Sequence, residues 1–156
     1  MPMNSTIYGI VFNERIDMPN PSAAMFTVRG KVVGDSRPRV TARGTYFPKA
    51  QTDYKRAIMD AIEEAGLEPI GDGPVDVSIL VYRKMPKSRP KSMESEPDTF
   101  KPDIDNIAKI FLDAMVQAEL IGDDRQVTEL TVRKFDRARR DEDTVHVIIR
   151  KAVDNG

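Results

Sequence analysis

The chain has 156 residues, 40% of them hydrophobic and 31% charged, a balance that suits one globular domain with a sizeable core rather than a disordered chain. It has no cysteine, which excludes disulfides, thiolate metal sites and thiol nucleophiles together. The net charge of −1, from 24 basic and 25 acidic residues, is low for a nucleic-acid binder, so any such role has to lie in how the charge is distributed.

That distribution is segregated. Lys31 to Arg56 carries seven basic and two acidic residues, and Arg83 to Lys91 carries five basic residues and no acid. Asp103 to Glu129 carries seven acids against Lys109 and Arg125. Basic segments around an acidic centre suit a phosphate-binding rim about a metal-binding focus. No apolar run approaches the roughly 20 residues that a membrane span needs, and the N-terminus lacks the basic start and apolar centre of a signal peptide.

In chain order, Ile7 to Phe12 reads as a short strand, and the turn-rich NERIDMPNPSAA after it as loop. Phe26 to Val33 reads as a strand interrupted by Gly30, and Arg43-Gly44 as a tight turn between Val40 and Tyr46. Tyr54, Ala57, Ile58, Ala61, Ile62 and Ala65 keep helical spacing up to Gly66. Val75 to Tyr82 alternates like a half-buried strand. Lys84 to Phe100, rich in proline and charge, is expected to be a long loop, functional or disordered. Val127 to Phe135 and Thr144 to Arg150 read as strands joined by a polar turn. The elements predict an α+β (α/β mixed) domain with two main helices on a mixed sheet.

The chemistry concentrates in KPDIDNIAKIFLDAMVQAELIGDD, residues 101–124. Pro102 disfavours helix before it, so Asp103-Ile104-Asp105 is expected to enter extended, with both carboxylates on one side. Two adjacent carboxylates repel unless a cation lies between them, and a divalent, oxygen-preferring ion meets that need. A helix is expected from near Asn106, with Ile107, Ile110, Phe111, Ala114, Met115 and Ala118 as its buried stripe, ending at Gly122 ahead of Asp123-Asp124. The bland alternatives are an N-cap at Asp105, a turn at Asp123-Asp124 and a solvated Lys109–Asp113 pair. Thirteen helical residues span ~20 Å, and the six that follow recover at most ~20 Å. Asp124 therefore meets Asp103 and Asp105 only by a sharp reversal, by a shorter helix, or from a second subunit. Arg37, Arg39 and Lys101 are candidate phosphate contacts or equally a solvated basic loop, Asn106 a support for a carboxylate or a capping or solvent-facing residue, and His146 a structural residue.

KPDIDNIAKIFLDAM followed by LIGDDRQV, and preceded by SRPRVTARGTYFP, resembles the RusA family of Holliday junction resolvases from about Phe26 to the last strand. The resemblance implies a cytoplasmic homodimer of bacterial or phage origin that uses Mg²⁺, with Mn²⁺ as a substitute, to nick four-way DNA junctions in symmetric pairs. It implies metal binding by Asp103, Asp105 and Asp124, an essential Lys109, and DNA contacts from the segment holding Arg37 and Arg39. Residues 1–24 then form an N-terminal extension and 25–153 the endonuclease domain. The near-neutral charge departs from the basic character of familiar members. Among rival readings, a DxD phosphatase needs its motif at the end of a parallel strand, and an EF-hand loop needs glycine where Ala108 stands. A DNA-binding dimer without cleavage is the non-enzymatic rival.

Overall fold

The elements form where side-chain alternation and helical spacing allow one face of each to be buried. The computed structural model describes residues 5–7, 10–12 and 23–152. In chain order the strands and helices are β1 (Ser5–Ile7), β2 (Ile10–Phe12), β3 (Ala24–Arg29), β4 (Arg39–Thr41), β5 (Gly44–Tyr46), α1 (Lys49–Glu64) and β6 (Val75–Tyr82). They continue with β7 (Ser95–Glu96), α2 (Ile104–Gln117), β8 (Val127–Lys134), β9 (Arg137–Ala138) and β10 (Thr144–Lys151). The main sheet has the order β3-β10-β6-β8, antiparallel except for β8, which runs parallel to β6. The fold is therefore α+β with a mixed sheet and two helices, as the element order predicts.

Val75, Val77, Ile79 and Val81 alternate onto the face that α1 and α2 cover, beside Val145, Val147 and Ile149 of β10. The helices contribute Tyr54, Ile58 and Ile62 from α1, and Ile107, Ile110, Phe111, Ala114 and Met115 from α2. Tyr54 and Phe111 meet edge to face, with ring centroids 5.8 Å apart. Fully burying a side chain of this size contributes roughly 1.5–3 kcal/mol, so these two stripes hold the layers together. On the other sheet face, Leu80 and Ile148 are buried beside Tyr82 and Phe135, whose rings stack at 4.4 Å.

Several boundaries differ from the sequence expectation. β3 begins at Ala24 and stops before Gly30, whose positive φ (109°) turns the chain; Val32 is buried outside any strand. Two short antiparallel strands, β1 and β2, stand where a single strand was expected over Ile7 to Phe12, and most of the NERIDMPNPSAA loop lies outside the described residues. α1 starts at Lys49, five residues before the apolar stripe, because Pro48 sits at the N-cap and its carbonyl accepts from the Gln51 and Thr52 amides. The Arg43-Gly44 turn forms as expected, with Gly44 at φ 128°. No helix among the described residues is long and apolar enough to cross a membrane.

Candidate active site

The acidic stretch folds as one helix with carboxylates at both ends. α2 starts at Ile104, two residues earlier than expected, so the extended Asp103-Ile104-Asp105 of the sequence reading is corrected. Asp103 takes the N-cap position with φ −73° and ψ 157°, and its carbonyl accepts the Ile107 amide (3.0 Å). Its carboxylate makes no capping hydrogen bond. Asp105 lies inside the first turn rather than at the cap, where the helix dipole favours its charge. Both acids are exposed and flank Ile104, itself 47% exposed.

Three sets of contacts brace this end of the helix. First, the segment before β4 packs on it: the Asp35 amide donates to the Asn106 carbonyl (2.9 Å). A Cβ on Gly34 would come within 2.7 Å of the Pro102 Cβ and 3.0 Å of the Asn106 Cβ, so only glycine allows this approach. Second, the buried Asp35 carboxylate accepts from Gln51 Nε2 of α1 (2.5 Å) and stands 3.2 Å from Lys109 Nζ. Gln51 Oε1 in turn accepts from the Ser36 amide and hydroxyl. Lys109 is thus held at Asp35 while its side chain stays largely exposed.

The third brace is the segment expected to be a loose functional or disordered loop. Arg83 grips Asp98 through both oxygens at 2.8 Å and also donates to the Phe100 carbonyl (3.2 Å). Lys134 at the end of β8 donates to the carbonyls of Phe100 (2.5 Å) and Pro102 (3.0 Å) and stands 3.6 Å from Asp98. Burial pushes the Asp98 carboxyl up, but the Arg83 hydrogen bonds and the Arg83 and Lys134 charges outweigh it and hold it below the usual carboxylate range. Glu96 of β7 accepts from Arg89 and Arg137, and the Arg137 guanidinium lies 3.7 Å from the Phe100 ring centroid. The segment ends at Lys101, Pro102 and Asp103, so this clamp sets where α2 begins.

A cleft of about 480 Å³ opens at that end, lined among others by Lys31, Asp35, Arg83, Lys101, Asp103 and Asn106. Asp103 and the candidate phosphate contact Lys101 share it, and half-buried Asn106 forms part of its wall. Arg37 and Arg39 are exposed on and before the β4–β5 hairpin, whose Val40, Tyr46 and Phe47 are also exposed. His146 lies in β10, bonded to Thr27 Oγ1 (2.8 Å), and burial lowers its pKa.

The other end of α2 is different. Glu119, at φ 61°, reverses the chain: its amide donates to the Val116 carbonyl and the Leu120 amide to the Met115 carbonyl (both 3.0 Å). The helix therefore ends before Gly122, where the sequence reading placed its stop. Asp123 caps the single 3-10 turn Asp124–Gln126, accepting from the Arg125 amide (2.8 Å), and Gln126 holds the Gly122 and Asp123 amides. A hydrogen bond with Asp123, some desolvation, and the charges of Asp123 and Asp113 push the Asp124 carboxyl above its usual range. The Arg125 amide and the hydrogen bond to Asp124 hold Asp123 below it.

Asp103 and Asp105 thus mark the start of α2 and Asp124 lies beyond its end, where it feels the charge of Asp113, eight residues or about 12 Å of helical rise beyond Asp105. Among the described residues of one chain, no three carboxylates or imidazoles converge on a point that could hold a metal ion. The donors nonetheless suit a hard divalent cation: at one end a carboxylate without a capping bond, at the other Asp124, raised by Asp123 and with no cation beside it, while Arg125 stands 3.3 Å from Asp123. Asp35, Gln51 and the Arg83–Asp98–Lys134 clamp were not singled out from sequence. The one local signal was Asp35, an acid within a strongly basic segment.

A family model described as "Endodeoxyribonuclease RusA" matches residues 29–150. The chain is also 33% identical over 138 residues to a Bacillus subtilis (strain 168) protein described as "Uncharacterized protein YqaN", covering 81% of this chain and 94% of that protein. With a match over most of its length, this chain belongs to the RusA endodeoxyribonuclease family, nucleases that generally depend on a divalent metal.

Proposed function

We propose that the chain resolves four-way DNA junctions as a homodimer, cutting paired phosphodiesters at two sites that each draw acids from both protomers. Asp103 and Asp105 of one protomer and the partner's Asp124 would hold the cation. The observation that carries this reading is the separation of the acids along α2, with Asp103 and Asp105 at its start, Asp124 beyond its end, and no three acids converging among the described residues of one chain. Mg²⁺, or Mn²⁺ in its place, would supply Lewis-acid stabilisation of charge on the phosphate and lower the pKa of an attacking water when bound.

The chain's own residues do the rest. The clamp and the Gly34–Asn106 contact hold Asp103 and Asp105 in one geometry, so little reorganisation is needed on binding. Lys109, exposed and tethered at Asp35, neutralises developing charge on the scissile phosphate. Lys101, in the cleft, and Arg37 and Arg39, on the exposed hairpin segment, neutralise flanking phosphates. Asn106 supports the Asp103 end of the cleft, and residues 1–24 lie outside the endonuclease domain, which spans 25–153.

A synthetic four-way junction with Mg²⁺, against a linear duplex of the same sequence, tests the reading. The wild-type chain nicks the junction selectively. D103N, D105N and D124N each abolish nicking while junction binding persists. Wild-type nicking by any of the three removes that residue from the proposed site, and absence of junction cleavage by wild type overturns the function.

A further inference from the structure

Lys109 lies between two acids of its own helix, with Asp105 one turn before it and Asp113 one turn after. Both spacings are those of ordinary ion pairs on a helix surface, and an acid ahead of the lysine is the better orientation. Neither pair forms. Lys109 Nζ stands 3.2 Å from Asp35 instead, and Asp113 stands 3.9 Å from Lys55 of α1. Asp105 has no ion pair among the described residues.

Asp35 is placed to win this competition. Its side chain is 7% exposed, so its charge is poorly solvated and weakly screened, and it draws a nearby ammonium more strongly than the exposed Asp105 does. One carboxylate oxygen accepts from Gln51 Nε2 (2.5 Å), which leaves the other toward Lys109. Buried Gln51 is itself fixed, because its oxygen accepts from the Ser36 amide (3.0 Å) and hydroxyl (2.7 Å). The Asp35 amide donates to the Asn106 carbonyl, three residues before Lys109. The acid is therefore tied to α1 through Gln51 and to α2 through its backbone. An ammonium has three N–H donors, so one directed at Asp35 leaves two for a phosphate.

We infer that Asp35, braced by Gln51, is a positioning residue that holds Lys109 off Asp105. The Asp105 carboxylate then stays open to the cation, and the ammonium stays available to the phosphate. The inference rests on the proposed nuclease reading, in which Asp105 holds the metal and Lys109 acts on the scissile phosphate. Without the Asp35 charge, Lys109 falls back on Asp105 and occupies the carboxylate that the metal needs.

D35N keeps an oxygen for Gln51 Nε2 and removes only the charge. In single-turnover cleavage of a four-way junction by excess protein, it should lower the rate about thirtyfold, within the ~10²-fold loss that a misplaced group causes. It should also raise the Mg²⁺ concentration for half-maximal rate about twofold, the worth of an ion pair at this spacing, with junction binding unchanged. K109A should cut about 10²-fold more slowly than wild type. D35N/K109A should be no slower than K109A and should lose the rise in Mg²⁺ requirement, whereas a packing role for Asp35 multiplies the two losses. Q51M, which keeps the acid but removes its brace, should lower the rate about fivefold and likewise add nothing to K109A, and it carries the same cycle if D35N does not fold. Proton–carbon NMR of the lysine ε-methylene groups, assigned with K109R, reads the tether apart from cleavage: Lys109 should be ordered in wild type and as mobile as other surface lysines in D35N. D35N that cuts like wild type, losses that multiply with K109A, or a wild-type Lys109 already mobile each overturn the inference and leave the nuclease reading intact. K109A that cuts like wild type removes the role of Lys109 and the inference with it. A wild-type chain that cuts no junction overturns the nuclease reading itself.

Discussion

The two ends of α2 carry similar acids in opposite conditions. At the N-terminal end, Asp103 and Asp105 follow a segment fixed by Arg83, Asp98, Lys134 and the close Gly34 contact, and cations line the adjoining cleft. At the C-terminal end, Asp113 stands 3.9 Å from Lys55 and Asp123 3.3 Å from Arg125, while the Asp124 carboxyl is raised by the Asp123 hydrogen bond and the neighbouring acids rather than lowered by a cation. The first end is organised within one chain. The second leaves Asp124, alone of its three acids, without a cationic partner among the described residues, a charge that a metal and a second chain would relieve. The split site proposed above would be complete only in an assembled dimer, and would couple cutting to assembly on a two-fold-related substrate.

Breaking the organised end should have the largest effect. D98A leaves Arg83 and Lys134, both nearly buried, without their carboxylate and should cost about 3 kcal/mol in denaturant unfolding. The Asp98 pKa is lowered in the folded state, so its contribution is present above the ordinary carboxylate pKa of about 4 and is lost as pH falls through the folded value. The gap in melting temperature between wild type and D98N should therefore narrow below about pH 4, and a gap independent of pH contradicts the clamp. G34A is next: the added methyl forces Pro102 or Asn106 to move, at a cost of about 2 kcal/mol, and should lower junction cleavage by displacing Asp103. Cleavage and stability unchanged in G34A would show that this end has slack.

Sharpening the other end takes a smaller change. Glu119 holds a left-handed conformation that glycine adopts freely, so E119G should raise stability by about 1 kcal/mol without altering cleavage. A loss of cleavage in E119G would mean that the glutamate itself fixes the path to Asp124.

Much of this was legible from sequence because it follows from periodicity. The Ile107–Met115 stripe, the alternation in Val75–Tyr82 and the Arg43-Gly44 turn all stand where spacing put them, while Ala118 is the half-buried C-cap. The start of α2 was misread because an Asp-Ile-Asp run allows a cap at either aspartate, and Pro102 suits both. Its end was misread because a glutamate rather than a glycine takes the left-handed position. The 84–100 segment looked loose because the partners that fix it, such as Asp98 with Lys134 and Glu96 with Arg137, are far apart in the chain. Composition shows charge there but not its pairing.

Subunit mixing tests the divided site most directly. D103A and D124A chains, each inactive alone, are unfolded together, refolded and assayed on a four-way junction with Mg²⁺. A heterodimer would have one site with all three acids and one with neither Asp103 nor Asp124, so random mixing should restore about a quarter of the wild-type sites, with single nicks in place of paired ones. No recovery of nicking, with heterodimers present, would contradict a site shared between chains.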